Sequence, residues 1–551
     1  MVAVSLDLHR HRSTIRPFPS NTIVVVWSTI PPAPQASAAG VRTLTILQQL
    51  QQMPSVSAIH FVTLSPSVPK PGALVSTWTS EEKAILATVK NLTAQGIQFH
   101  HVPVNREEAI RQFLQETLPQ AAPNPPSFYC HFFDRFYAEE MYAHAVHRYP
   151  PPNMTKDSVL MVLDMQDMHS LRQARQQAVE EWYQQHHCPD GSVSTLEDTL
   201  KASMTALPDT TNRNLLRELA SIHRMDMTWV CSPYEKNLLV ERYGMASRKL
   251  VVAPLLGDVC GGSKDITDNN QIDSNENSDD IDDESIFLRR RDFCFVGGFR
   301  HKPNVDAVDH LMRLWPDIRQ EIMTRTKDEP VLRIYGAFLT APLQERWTRQ
   351  LQKSVHSSGK RHPKDFGIYL EGFADNLENI LTSHRILLAP LTYGAGLKGK
   401  LVEAWKSGLP VVTTPVGAEG FFAGNEHTSD FPGAVVSSDE DFVQNAVRLY
   451  HDQRLWKVAH LKTTSTATSW QTRLDTSSTW PAIAEQMVEA AVGVSENRRN
   501  DITRAILWRE GLRSTQHFAQ YIELKEWKNS RQTKHQQLDQ SDQVEQDRNI
   551  P

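Results

Sequence analysis

The stretch Leu391-Thr-Tyr-Gly394-Ala-Gly396-Leu-Lys398-Gly399-Lys400 concentrates residue types that handle anions. It follows an apolar run, Arg385 to Pro390, that reads as a buried strand, and it leads into Leu401-Val-Glu403-Ala-Trp, which reads as a helix. A strand, a glycine-rich turn and a helix start in that order form an anion cradle. Gly394, Gly396 and Gly399 let the backbone approach a phosphate closely, the helix start offers free N–H groups, and Lys398 or Lys400 adds a full positive charge. A diphosphate fits such a cradle. Glu403 lies three residues beyond Lys400, within one helical turn of the loop, where it could accept hydrogen bonds from sugar or ribose hydroxyls.

A second group of polar residues follows Val159-Leu-Met-Val-Leu: Asp164, Asp167 and His169, ahead of a helix that starts near Ser170. Doubly wound folds put ligands at the carboxyl ends of their strands, which is where these three fall. Plainer work also suits them, since Asp167 could cap the helix and His169 could pack against it. Asp134, after the run Ser127 to His131, is a further cleft candidate. Pro31 to Arg42 is a proline-rich connection between the first strand and a helix, and it contains Gly40 and Arg42. Ser232-Pro-Tyr-Glu235 has the spacing of a capping box.

The elements that must position these groups alternate regularly. Short apolar runs (Ile23 to Trp27, Ala58 to Leu64, Ser127 to His131, Val159 to Leu163, Thr228 to Cys231, Leu250 to Ala253) are separated by amphipathic stretches such as Val41 to Met53 and Glu81 to Gln95. The rhythm breaks in an acidic segment, where Asp265 to Glu284 carries nine carboxylates against Lys264 just before it, and such a composition cannot bury enough apolar surface to order itself. It restarts with Phe293 to Val296, a helix Asn304 to Met323, Val331 to Tyr335, Ile368 to Leu370, Ile386 to Leu391 and Val411 to Thr413. Phe442 to His460 and Pro481 to Val494 read as helices. This is the βαβ pattern of parallel sheets twice over. The predicted fold class is α/β, two Rossmann-like doubly wound lobes facing a cleft. The predicted organisation is a disordered start over 1–20, a first lobe over 21–256, an acidic linker over 257–286 and a second lobe over 287–480. Helices over 481–530 would pack back on the first lobe, ahead of a frayed tail over 531–551.

Composition narrows the functional classes. The 551 residues carry 58 basic and 64 acidic side chains, a net charge of -6, which argues against a nucleic-acid partner. Five widely spaced cysteines, Cys130, Cys188, Cys231, Cys260 and Cys294, form neither a disulfide framework nor a zinc motif, and no metal site is expected. No run reaches the roughly 18 apolar residues of a membrane span. The expected location is cytoplasmic, with Arg10, Arg12 and Arg16 leaving an organellar transit peptide open. Trp508, Arg509, Arg513, Lys525, Trp527 and Lys528 mix basic and aromatic character, which suits peripheral membrane contact or packing onto the first lobe.

Taken in order, Phe295-Val-Gly-Gly-Phe-Arg-His-Lys-Pro-Asn304, Glu371-Gly-Phe373, Tyr393 to Ala404 and Gly408 to Gly420 resemble the nucleotide-sugar-binding lobe of group 1 glycosyltransferases, family 4, in its G-A-G-x-K-x-K branch. Many members carry two Glu residues eight positions apart; Glu403 matches the second, and Ala395 stands where the first would be. The resemblance implies the two-lobe GT-B architecture and a retaining, metal-independent transfer of a sugar from a nucleotide-sugar donor, with no cofactor. It implies that Gly297, Gly298, Arg300 and Lys398 meet the pyrophosphate, that Gly372 and Phe373 lie near the base and Glu403 near the ribose, that Gly40 faces the donor, and that His169 lies by the transferred sugar with Asp167. The acceptor, whether glycan, lipid or small molecule, and the oligomeric state are left undefined. Two other readings remain at this stage: a non-catalytic nucleotide-sugar-binding module, and an epimerase or phosphorylase on the same fold.

Overall fold

The computed structural model of the chain describes residues 17–34, 37–64, 79–104, 106–120, 125–186, 195–254, 283–354, 363–422, 430–464, 474 and 476–509. Most of the acidic segment, the first 16 residues, Cys188, Cys260 and the stretch from 510 onward, including Arg513, Lys525, Trp527 and Lys528, lie outside the described residues.

Thr22–Ser28 (β1), Thr-Ile-Val-Val-Val-Trp-Ser, is buried along its whole length. Such a continuous β-branched run suits the middle of a parallel sheet covered on both faces. It pairs on one side with Val56–Thr63 (β2), which in turn pairs with Gln98–His101 (β3), and on the other with Phe128–Asp134 (β4). Val159–Asp164 (β5), Met227–Val230 (β6) and Leu250–Val252 (β7) complete a parallel sheet in the order β3-β2-β1-β4-β5-β6-β7. The second sheet is built from Arg291–Val296 (β8), Leu332–Tyr335 (β9), Ile368–Gly372 (β10), His384–Ala389 (β11), Val411–Thr413 (β12) and Gly433–Val435 (β13), in the order β10-β9-β8-β11-β12-β13 and again parallel. Each order reverses direction once, between β1 and β4 in the first sheet and between β8 and β11 in the second. Doubly wound sheets open a crevice at those points, beyond the strands' carboxyl ends.

Local signals set the helices. Ser37 accepts from the Gly40 N–H at 3.1 Å and starts the helix Ala38–Gln52, and a full capping box of Thr79 and Glu82 starts Ser80–Ala94. The long helix Lys302–Thr326 starts at a proline and ends on Lys327 in the left-handed region. The sequence pattern read Phe442 to His460 as one helix; the structure has two, Asp439–His451 and Gln453–Thr464. Asp452 divides them, with extended backbone and a side chain that accepts from the Leu455 N–H at 3.0 Å as a new cap.

Two helices sit across the sequence order. Thr476–Val492 follows the second sheet in sequence, yet Trp480, Ile483, Ala484, Met487, Val488 and Ala491 are buried in the core of the first, with Trp480 edge-on to Trp229. In the other direction Leu196–Thr205, from the first half of the chain, buries Leu196 and Leu200 in the core of the second lobe. Each lobe therefore completes its hydrophobic core with a helix from the far part of the chain. Met487→Ala should destabilise the first lobe by about 2–5 kcal/mol despite its place in the sequence, measured as a lowered denaturation midpoint followed through Trp27 and Trp229 in that lobe.

Candidate functional site

The crevice of the second sheet lies between the ends of β8 and β11, and both strands run out into the glycine segments that the sequence singled out. Gly297 and Gly298 follow β8, where the side chain of Asn304 folds over them: its Nδ2 donates to Gly298 O at 2.8 Å, and a Cβ on Gly297 would meet its Cγ at 2.7 Å. Asn304 Oδ1 in turn accepts from Lys400 Nζ at 2.6 Å, and that ammonium lies 4.4 Å from the centre of the Phe295 ring. Lys398 caps the helix Gly399–Lys406 through its backbone alone, and its buried Nζ donates to Gly396 O at 2.7 Å. Among the described residues no carboxylate makes a salt bridge to Lys398 or Lys400. Burial pulls both lysines below their ordinary range. Lys400 falls to about 7, with Lys398 adding repulsion, while Glu419 and Glu235 offset part of the effect on Lys398.

The other residues of this lobe take distinct places. Gly372 ends β10 with φ +77 and accepts from the Gly336 N–H at 2.7 Å. Gly372 and Phe373 line a cavity of about 180 Å³ with Gly336, Phe338, Leu339, Gln344, Leu370 and Glu371. Arg300 is exposed and stacks its guanidinium 3.7 Å from the centre of the Phe338 ring, so it stands at the rim of this cavity, not in an ion pair with the glycine loop. Glu403 pairs with Lys406 on its own helix at 3.2 Å. Gly399 abuts the first lobe, since a Cβ there would come within 2.6 Å of Ala38 Cβ. At Gly396, read from the sequence as a point of close backbone approach to a phosphate, the N–H is taken by Glu235 Oε1 at 3.0 Å.

On the first lobe, β4 and β5 end in register on Asp134 and Asp164. Asp164 is spoken for: Arg42 grips both its oxygens, with Nη2 at 2.6 Å, and also donates to Ala253 O and Pro254 O. Arg42 is thus a buried tie between the first helix and β5 and does not face a ligand. Gly40 packs inward in the same region, where a Cβ would meet the Ala33 carbonyl at 2.3 Å. Asp134 accepts from Ser28 Oγ at 2.7 Å and from Gln166 Nε2. Gln166 (φ +59) and Arg135 (φ +72) both hold the left-handed backbone conformation that side chains disfavour, one after each strand. Such strain gathers at functional sites because surrounding contacts must maintain it.

Beside them, Asp167 accepts from His169 Nε2 at 2.9 Å and pairs with Arg172. Burial alone would push the Asp167 carboxyl up, but Arg172, His169 and Arg135 outweigh it and hold it well below the usual carboxylate range. The His169 ring packs edge-on against Phe136 at 5.5 Å, and its Nε2 is committed to Asp167, which leaves Nδ1 as the other ring nitrogen. Asp167 is not a helix cap. That work falls to Glu218, whose buried carboxyl accepts the His169 N–H at 2.7 Å and the Ser170 N–H at 3.2 Å. The Ser232 box is half formed: Ser232 Oγ accepts from the Glu235 N–H at 3.3 Å, while the Glu235 side chain turns to the Met168 N–H at 3.0 Å and to Gly396.

The two lobes meet at this point. A Cβ on Gly396 (φ +68) would come within 2.8 Å of Asp167 Cβ, and one on Gly420 within 2.9 Å of Ser232 Cβ. The structure therefore brings the glycine loop, Lys398, Asp167 and His169 to one place. Arg300, Gly372 and Phe373 form a separate edge of the same lobe, and Gly40 is left in packing. Sequence reading missed Arg175, a buried arginine of the helix His169–Gln185 that reaches the loop from the other lobe; its spacing on an ordinary amphipathic helix gave no signal. No group of three or more His, Cys, Asp or Glu side chains is placed to hold a metal ion among the described residues, and none of their helices is long and apolar enough to cross a membrane.

Residues 290–452 match the family described as glycosyl transferases group 1, within a fold of two Rossmann-like lobes that meet at a crevice. The second lobe thus carries the group 1 glycosyltransferase signature. No curated protein sequence matches the chain. Among solved structures, HepE of Anabaena in complex with UDP aligns over 86% of this chain and 100% of its own, at 8% identity and a TM-score of 0.47. TarM aligns over 85% of this chain and 100% of its own, at 8% identity and a TM-score of 0.49. The E. coli structure described as trehalose-6-phosphate bound with UDP-2-fluoro glucose aligns over 85% and 99%, at 8% identity and 0.47.

Burial raises the Glu218 carboxyl to about 8 against the hydrogen bonds it accepts. Between the unfolded carboxyl value near 4.3 and about 8, the unfolded chain has lost this proton and the folded chain has kept it, so the group lowers stability as pH rises across that window. Glu218→Gln keeps an acceptor for the helix N–H groups and removes the titration. Thermal unfolding from pH 5 to 8 should show a flatter pH dependence for Glu218→Gln, by at most about 1.4 kcal/mol per pH unit.

Proposed function

We propose that this protein is a glycosyltransferase that moves a sugar from a nucleoside-diphosphate sugar to an acceptor, with retention of anomeric configuration and without a metal ion or cofactor. The observation that carries the reading is the pair of lysines, Lys398 and Lys400, beside a glycine loop at the second sheet's switch point, with no direct salt bridge to either among the described residues and only the more distant Glu419 and Glu235 acting on Lys398. Ammonium groups drawn out of water onto neutral oxygens alone are costly, and a diphosphate would add negative charge beside them. The group 1 signature over residues 290–452 supports a nucleotide-sugar donor.

In this scheme the diphosphate lies along the loop from Gly394 to Gly399 and the Gly297-Gly298 turn, held by Lys398 and Lys400. The base enters the cavity lined by Gly372 and Phe373, with the stacked Arg300 and Phe338 at its rim, and the ribose lies toward Glu403. As the bond between the anomeric carbon and the phosphate oxygen breaks, negative charge builds on the leaving diphosphate and the two lysines neutralise it. The acceptor oxygen attacks from the same face and passes its proton to a departing phosphate oxygen, so no side-chain nucleophile is consumed. His169, its ring fixed by Asp167, faces the transferred sugar with Nδ1 free for a hydroxyl. Contact between the lobes keeps water from the oxocarbenium-like centre. The acceptor binds on the first-lobe side, beside Asp134, Arg135 and Gln166.

Calorimetric titration with UDP, GDP and ADP tests this. One of them should bind, and Lys398→Ala should weaken it about 10- to 100-fold, as expected when a charged hydrogen bond is lost. Lys400 sits near 7 when free, and a bound diphosphate raises it. Binding at pH 8 should therefore take up close to one proton and at pH 6 almost none, read from titrations in buffers of different ionisation enthalpy; Lys400→Met should abolish the uptake. A folded wild-type protein that binds none of these diphosphates rejects the reading, and binding without transfer or donor hydrolysis would identify a non-catalytic module.

A further inference from the structure

The loop that carries the proposed phosphate contacts is held from the other half of the chain at every second residue. Ser203 Oγ donates to Thr392 O, Arg175 Nη1 donates to Gly394 O at 2.8 Å, and Glu235 Oε1 accepts the Gly396 N–H at 3.0 Å. Arg175 is the most fully determined of the three. Its guanidinium forks onto Glu419 of the second lobe at 2.7 and 2.8 Å, and it donates to Tyr234 OH at 3.1 Å. Its side chain is 1% exposed. Arginine is suited to this, since a planar fork can satisfy a carboxylate and a carbonyl at fixed angles, which a lysine cannot.

The loop needs such external definition. With glycines at 394, 396 and 399 its backbone has many accessible shapes, and the cost of choosing one must be met by contacts. We propose that Arg175 is a positioning residue for the diphosphate site: by fixing Gly394 O and Glu419 together it holds the glycine loop in the shape that presents Lys398 to the ligand. The nucleotide site of the second lobe is then completed by a side chain of the first. This inference rests on the proposed function for the identity of the ligand. Its claim about loop shape stands on the hydrogen bonds alone.

The test uses the full chain and the variants Arg175→Met, Arg175→Lys and Glu419→Gln, with two readouts. Hydrogen exchange of the unliganded protein over residues 391–400 should quicken at least 10-fold in Arg175→Met, with β1 and β2 unchanged as a control for folding. Calorimetric affinity for whichever of UDP, GDP and ADP binds the wild type should fall at least 10-fold in Arg175→Met, and Arg175→Lys and Glu419→Gln should fall between it and the wild type. Unchanged exchange over 391–400, or unchanged affinity in a folded Arg175→Met, overturns the inference and leaves Arg175 as a brace between lobes. If Arg175→Met does not fold, Glu419→Gln decides by the same two criteria. A wild type that binds no diphosphate refutes the proposed function, while the exchange result still supports or overturns the role in loop shape.

Discussion

Two lysines drawn toward the protein interior, neither in a salt bridge with a carboxylate, set the problem that the rest of this structure answers. Lys398 is buried against the carbonyl of Gly396, and Lys400 is directed inward over Phe295 with an amide oxygen for a partner. Neither arrangement recovers what an ammonium loses on leaving water, and burial pulls both below the ordinary lysine range. Such a pair persists only where surrounding packing forces it. Here the force comes from the helix Gly399–Lys406, whose Leu401, Val402, Ala404 and Trp405 are buried in the core and pin the first turn from which Lys400 projects.

That packing depends on both lobes. The glycine loop is anchored in the second sheet by β11, yet Ser203, Arg175 and Glu235, all from the first half of the chain, take its backbone groups at 392, 394 and 396. The exchange of helices makes this possible. Leu196–Thr205 sits in the second lobe's core and brings Ser203 to the loop, while Thr476–Val492 returns to the first lobe's core. Neither lobe is a self-contained unit of sequence, and the site falls where each borrows from the other.

Much of the sheet architecture was legible in the sequence because buried parallel strands are short, apolar and β-branched. The runs Ile23 to Trp27, Val159 to Leu163 and Val411 to Thr413 fall on β1, β5 and β12 within a residue or so. What escaped notice was weakly patterned. Gly433–Val435 is three residues of which one is glycine, and Leu196–Thr205 is a helix whose apolar face meets the other lobe, a destination no local pattern encodes. For the candidate site, spacing singled out the loop, Lys398, Asp167 and His169, which the structure brings to one crevice. It could not tell that Arg42 would be spent on Asp164 or that Glu235 would turn from its own helix cap to Gly396, because each choice depends on which carboxylate or amide lies nearest in space. Arg175 gave no signal for the same reason: in sequence it is one more polar residue of a long helix.

The first lobe's side of the cleft shows the same character as the second. Arg135 and Gln166 hold strained backbones just past adjacent strands and meet on Asp134, Glu218 keeps a buried carboxyl under the first turn that carries His169, and Asp167 is held ionised by Arg172, the hydrogen bond from His169 and Arg135. Each is a local departure from the most stable choice, and all lie at the carboxyl ends of β4 and β5. Elsewhere in the described lobes the central strands and the faces packed on them are ordinary dense cores. Stability drawn from those cores is what allows charge, strain and lysines without a direct carboxylate partner to be gathered at one crevice. A side chain in the cleft that relieved one of these costs, for example a carboxylate set against Lys398, would make the unliganded protein more stable and remove the reason for an anion to bind.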